Sequence, residues 1–201
     1  MADLQARLAG LTPEQRALFE QLLAEQGGGE DTFPLSVFQQ GMWFLEQLRP
    51  FNPAYVVPSA LRLRGPLDVG LLRRAVATIV GRHEALRTTF ELRDGKPVQV
   101  VHPALDVDVP ELDLRGEDLD DAALQARVVA EALGEPMSIE QGPLVRLRLL
   151  RTGDDDRVLV LALHHLISDR WSIGILMAEV AALYAAYAQG EGSPLPPLPI
   201  Q

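Results

Sequence analysis

The unbroken apolar run Val158-Leu159-Val160-Leu161-Ala162-Leu163 constrains what this chain can become more than any other stretch. Asp154, Asp155 and Asp156 precede it as a solvated turn, and His164 and His165 end it. A run this short reads as a buried strand, since a membrane span needs roughly 18 apolar residues and no part of the sequence approaches that. Leu144 to Arg151, on the other side of the acidic turn, reads as its partner strand.

The rest of the chain alternates between helix and strand periods. Ser36-Val37-Phe38-Gln39 is a capping box that opens a helix to about Leu48. Pro50, Pro53 and Pro58 impose an extended crossing, and Ala60 to Arg64 alternates apolar and basic residues as a strand with one wet face. Asp68 caps a helix over about 69–83 that buries Leu72, Val76, Ile79 and Val80. Thr88–Arg93 and Val98–His102 flank Asp94-Gly95, a hairpin signal. Val107 to Leu112 is a candidate edge strand, Asp118 to Leu133 an amphipathic helix, and Ser172 to Ala188 a long helix ended by Gly190. This order predicts an α/β fold, a mixed β-sheet with packed helices forming an α/β sandwich.

Two flanks stand outside that core. Residues 1–31 carry a helix start at Thr12-Pro13-Glu14-Gln15 and then Gly27-Gly28-Gly29, an expected helical linker or docking segment. Residues 32–190 form the expected globular unit. Residues 191–201, rich in proline, read as an extended linker toward a further lobe.

Composition narrows function by exclusion. Of 201 residues 47% are hydrophobic and 23% charged, with a formal net charge of −10. Such a surface disfavours nucleic acid, whose phosphates need Lys and Arg. There is no cysteine, hence no disulfide, thiolate metal site or Cys nucleophile. With no signal peptide at Met1-Ala2-Asp3-Leu4, the expectation is a cytoplasmic protein without a membrane partner.

Chemistry concentrates at His164-His165-Leu166-Ile167-Ser168-Asp169, where a buried strand gives way to a helix. Adjacent strand residues point to opposite faces, so one imidazole should face a cavity and the other pack inside. Histidine exchanges protons near neutral pH, and Asp169 either orients it or pairs with an arginine. The competing reading is a satisfied pair of core histidines. A metal site is disfavoured because adjacent His side chains diverge, and His83 and His102 are unplaced. Arg87 lies beyond a helix end among apolar residues and needs a carboxylate, and Asp169 is the expected partner. Phe44 and Leu45 are expected to pack against the sheet. Ser168 and Ser172 lack the surroundings of an activated nucleophile, and no glycine-rich phosphate loop occurs.

Three segments together resemble the opening motifs of nonribosomal peptide synthetase condensation domains. Ser36–Leu45 is similar to Ser-x-Ala-Gln-x-Arg-Leu-Trp-Phe-x, with Phe38 for Ala, Gly41 for Arg and Met42 for Leu. Arg82–Phe90 matches Arg-His-Glu-x-Leu-Arg-Thr-x-Phe. His164–Ser172 matches His-His-x-x-x-Asp-Gly-Trp-Ser except that Arg170 stands for Gly. The resemblance implies the first of two chloramphenicol-acetyltransferase-like lobes, with a missing C-terminal lobe completing a tunnel. It implies amide formation between a donor acyl group and an acceptor amine, both carried on phosphopantetheine of upstream and downstream peptidyl carrier proteins. No cofactor is expected on this lobe. His165 falls at the reaction centre; His164, Asp169 and Arg87 support it. Ser168, Trp171 and Ser172 are candidates for lining the substrate channel, and Arg170 for narrowing the acceptor entrance. Alternatives are a noncatalytic carrier-protein docking lobe, a related epimerisation or ester-forming domain, and an acyltransferase using free coenzyme A thioesters.

Overall fold

The computed structural model describes residues 31–201, so the expected helical segment before residue 31 lies outside the described residues. In chain order the elements are β1 (Asp31–Pro34), α1 (Val37–Leu48), β2 (Val56–Arg64), α2 (Val69–Arg82), β3 (Thr88–Arg93), β4 (Lys96–Val101), β5 (Glu111–Asp113), α3 (Asp121–Leu133), β6 (Val145–Arg151), β7 (Asp156–His164) and α4 (Arg170–Ala188). Short 3₁₀ turns at Pro53–Tyr55 and Glu84–Arg87 lead into β2 and β3.

The strands form two sheets rather than one. A four-stranded sheet has the order β2-β7-β6-β5, and a three-stranded sheet the order β1-β4-β3. In the larger sheet β7 pairs antiparallel with β2 and β6, while β5 joins β6 in parallel, so the sheet is mixed. The fold class read from the sequence therefore stands, with the hairpin assigned to a second sheet.

Strand β7 shows how alternation organises the core. Leu159, Leu161 and Leu163 face one hydrophobic cluster, built with Leu72, Val76 and Ile79 of α2 and Leu176, Leu183 and Tyr187 of α4. Val158, Val160 and Ala162 face the other, with Met42 of α1, Ala132 of α3 and Phe90 of β3. Every residue from Arg157 to His164 is buried. A strand covered on both faces has no polar alternation to show, which is why it reads as a continuous apolar run.

Local signals hold at most element ends. Ser36 and Gln39 close the capping box, Asp68 caps α2 and Asp120 caps α3. Asp94 and Gly95 both have positive φ, 53° and 73°, as the tight β3–β4 turn requires. Strand β2 starts earlier than expected and runs through Pro58. Proline is tolerated there because β2 is an edge strand.

Three expectations change. Phe44 and Leu45 do not pack against the sheet; they are exposed, while Met42 and Glu46 turn inward. The inner face of α1 runs through Gln39, Met42 and Glu46, positions three or four apart, and Phe44 and Leu45 fall off it. Second, α4 is long and apolar enough to cross a membrane by length and composition alone, with a mean hydropathy of 1.4. Its alanines and glycine dilute any run of large residues, so the sequence does not read as a span. Among the described residues, its Leu176, Leu183 and Tyr187 are buried against α2 and β7. Third, the tail beyond Gly190 is extended but not free. Leu195 packs on the α2–α4 cluster, and Arg82 Nη1 donates to the Pro196 carbonyl at 2.6 Å.

Candidate active site

His164 is the last residue of β7 and is tied on both sides: it pairs with Val56 of β2, and its N–H donates to the Leu144 carbonyl at 2.9 Å. The next N–H, of His165, donates to the Tyr55 carbonyl at 2.8 Å. The turn then closes on itself, with Ile167 N–H donating to the His164 carbonyl at 3.1 Å and Ser168 Oγ to the same oxygen at 3.1 Å. Both histidine backbones are thus fixed by the central strand and its turn.

The two imidazoles have different surroundings, as alternation predicts. His164 follows the parity of Val160 and Ala162 and is 1% exposed. Its Nδ1 accepts the Leu166 N–H at 3.1 Å, so its proton belongs on Nε2. Nε2 stands 3.7 Å from Oε1 of Glu46, itself 3% exposed, and the Tyr55 ring centroid lies 6.4 Å away. Burial, with the neighbouring His165 adding to it, pushes the His164 pKa down to about 4. Burial also raises the Glu46 carboxyl, opposed by hydrogen bonds from the backbone of Phe51 and Asn52. A cavity of about 80 Å³ beside them is lined by Glu46, Asn52, Met137 and His164. The small cavity therefore adjoins the packed histidine, not the other one.

His165 is half-exposed. Its Nδ1 lies 3.3 Å from the Ser168 carbonyl oxygen, and a carbonyl can only accept, so Nδ1 carries the proton. In that tautomer Nε2 presents a lone pair. An imidazole with one nitrogen anchored and a lone pair on the other can accept a proton or a hydrogen bond from a reactant.

Asp169 does not orient His165, and the expected Arg87–Asp169 ion pair is not formed. Asp169 is the N-cap of α4: its Oδ1 accepts the Ser172 N–H at 2.8 Å and the Ser172 hydroxyl at 2.7 Å. These bonds, the hydroxyl first, hold its pKa below the usual carboxylate value. Arg87 donates from Nη1 to the His102 carbonyl, and its Nε is buried without a hydrogen-bond partner. A helix N-terminus with orphan N–H groups outcompetes the guanidinium for this carboxylate.

Ser172 is taken up by that cap, Ser168 by the turn, and Trp171 is 81% exposed. Arg170 is exposed at the first position of α4, and its backbone is not left-handed, so no conformation reserved for glycine is imposed on it. Among the described residues no group of three or more His, Asp or Glu is placed to hold a metal ion. Sequence reasoning missed Glu46 and the second role of Gln39, whose amide N–H₂ donates to the Leu166 carbonyl at 3.1 Å. The available signal was two polar residues at helical spacing on an otherwise apolar inner face.

A family model described as a condensation domain matches residues 29–200. The chain belongs to the condensation-domain family of nonribosomal peptide synthetases. It is 43% identical over 173 residues to one of the linear gramicidin synthase proteins of Brevibacillus parabrevis, covering 86% of this chain and 2% of that protein. It is 42% identical to phosphinothricin tripeptide synthetase PhsC of Streptomyces viridochromogenes, covering 100% of this chain and 20% of that protein. The starter condensation domain of rhizomide synthetase superposes with a TM-score of 0.76 at 25% identity, over 83% of this chain and 40% of that one. The condensation-domain chain thus spans under half of the solved structures it matches and a small part of the curated relatives. Its fold is the chloramphenicol-acetyltransferase-like arrangement of mixed sheet and packed helices.

Proposed function

We propose that this chain is the N-terminal lobe of a domain that joins a carrier-bound donor acyl thioester to a carrier-bound acceptor amine, with His165 at the reacting centre. The observation that carries this reading is the division of labour between the histidines: His164 is buried, whereas His165 is half-exposed and anchored through Nδ1. The names of the relatives support it, since they are peptide synthetases and their parts.

In the reaction the amine nitrogen attacks the thioester carbonyl carbon, the C–N bond forms and the C–S bond breaks. The amine proton has to leave, and the departing sulfur has to gain one. His165 Nε2 accepts a hydrogen bond from the amine as it loses its proton, and the imidazolium so formed returns that proton to the leaving thiolate. No acyl-enzyme is needed, which agrees with both nearby serines being engaged in local structure. Phosphopantetheine arms of upstream and downstream carrier proteins bring the substrates, and a C-terminal lobe completes the channel. Arg170, at the exposed start of α4, narrows the acceptor entrance.

The test is amide formation by the synthetase that carries this chain, with two loaded carrier proteins. His165→Ala should lower the rate by about 10²–10⁴-fold, the usual value of a positioned acid–base group. Parent-like rates would refute the role, and turnover of free coenzyme A thioesters in place of loaded carriers would refute the substrate class. Arg170→Gly should lower the KM for the acceptor carrier; an unchanged KM dismisses the entrance.

A further inference from the structure

Gln39 and Glu46 lie on the inner face of α1 beside the histidine turn, seven residues apart and so two turns apart on one side of the helix. Gln39 uses both ends of its amide. Oε1 accepts the Ser36 N–H at 2.9 Å and closes the capping box, and Nε2 donates to the Leu166 carbonyl at 3.1 Å. The same Nε2 also approaches Gln99 Oε1 at 3.5 Å. Leu166 is therefore held from both sides, its N–H by the His164 imidazole and its carbonyl by α1.

Two turns on, Glu46 Oε2 accepts the Phe51 N–H at 3.0 Å, while Oε1 is buried with no hydrogen-bond partner. The atom facing it is His164 Nε2 at 3.7 Å, the nitrogen that carries the proton. A small approach makes this a charge-assisted hydrogen bond, and the adjoining cavity of about 80 Å³ has room for a bridging water.

We infer that Gln39 and Glu46 are positioning residues for the reaction, α1 acting as a clamp that fixes the His164–Ser168 turn and so the direction of the His165 ring. Gln39 secures the peptide next to His165, and Glu46 secures His164, whose ring in turn holds the Leu166 N–H. Neither touches substrate; each acts through the turn. The role in the reaction rests on the assignment of His165 as the reacting imidazole. The clamp itself does not.

Nitrogen-15 spectra of the histidine rings in the 201-residue chain test it directly, because the shifts of Nδ1 and Nε2 report the tautomer. Gln39→Glu keeps an acceptor for Ser36 but removes the donor to Leu166; Glu46→Gln keeps an acceptor for Phe51 but removes the charge. Amide spectra and thermal melts establish that each variant is folded. Should Gln39→Glu fail to fold, Gln39→Ala, which only removes atoms, is read in its place. The expected result is that His165 goes from a single Nδ1–H form to a mixture of tautomers in the Gln39 variant. His164 Nε2 shifts in Glu46→Gln. In the synthetase that carries the chain, kcat should fall about tenfold with KM for the loaded carriers within about twofold of parent, as for other outer-shell supports. Folded variants whose histidine signals match the parent overturn the clamp. If the signals move as expected while His165→Ala retains parent activity, the clamp stands and the reaction assignment falls.

Discussion

His165 Nδ1 stands 3.3 Å from the carbonyl oxygen of Ser168, so the turn that presents the imidazole also sets its tautomer, and it does so with backbone. The Ser168 hydroxyl performs a separate task, donating to the His164 carbonyl at 3.1 Å. Ser168→Ala should therefore leave the His165 tautomer and the amide-forming rate near parental values. The lost hydrogen bond should cost about 1 kcal/mol of stability, read from denaturant melts. A serine nucleophile would instead lose essentially all turnover on this substitution.

His164 gives the fold a pH dependence of definite sign. Its folded pKa is about 4 and its unfolded value about 6.5, so between those values the unfolded chain binds the proton and the folded one does not. Stability should rise with pH across that window, by up to about 3 kcal/mol in all. Glu46 acts in the opposite direction, because its carboxyl is raised: its contribution falls as pH rises through the window above its unfolded value. The two slopes overlap, so the contribution of His164 is best isolated in the Glu46→Gln background. There the unfolding free energy should climb more steeply between pH values of about 4 and 6.5 than in the parent. A flat profile in that variant would mean that His164 is solvated.

Much of this site is visible in the residues themselves because it depends on local rules. The capping box at Ser36 and Gln39, the Asp94-Gly95 turn and the unequal burial of His164 and His165 follow from spacing alone, and all are present. What spacing does not carry is competition between distant partners. Asp169 has two possible partners, a guanidinium elsewhere in the sequence and the orphan N–H groups of its own helix, and the nearer one holds it. Glu46 looks like a solvated charge beside Gln47, and only the packing of α1 against the end of β7 shows that it faces an imidazole. The division into two sheets is likewise hidden, since a hairpin's own pattern is the same in either.

Leu163 joins stability to chemistry, being fully buried and immediately before the histidine pair. It fills the α2–α4 side of the sheet with Leu161 and Ile79. Leu163→Ala should cost about 2–5 kcal/mol, the range for emptying a leucine site in a packed core. Because the strand is held by backbone bonds on both sides, the histidine turn should keep its geometry in the folded fraction. Denaturant melts together with the histidine ring spectra check both halves of that statement.

The C-terminal tail is tied to the globular unit through Arg82. Arg82 Nε lies 3.2 Å from Glu179 Oε2, which also receives His83 Nε2 at 2.7 Å, so α2 and α4 meet at a shared carboxylate. The same guanidinium sends Nη1 to the Pro196 carbonyl, and Gln201 Nε2 returns a bond to the Arg82 carbonyl at 3.0 Å. One side chain thus ties helix to helix and helix to tail, and the two functions separate by substitution. Arg82→Ala removes both: stability should fall by about 2 kcal/mol, and proteolysis of residues 191–201 should quicken. Glu179→Gln removes the charge but leaves the Arg82–Pro196 bond, so it should lower stability while the tail stays comparatively protected. Limited proteolysis followed by mass spectrometry reads the tail, and thermal melts read the helices. Equal protection of the tail in Arg82→Ala would show that burial of Leu195 holds it unaided, and that the arginine serves only to join α2 to α4.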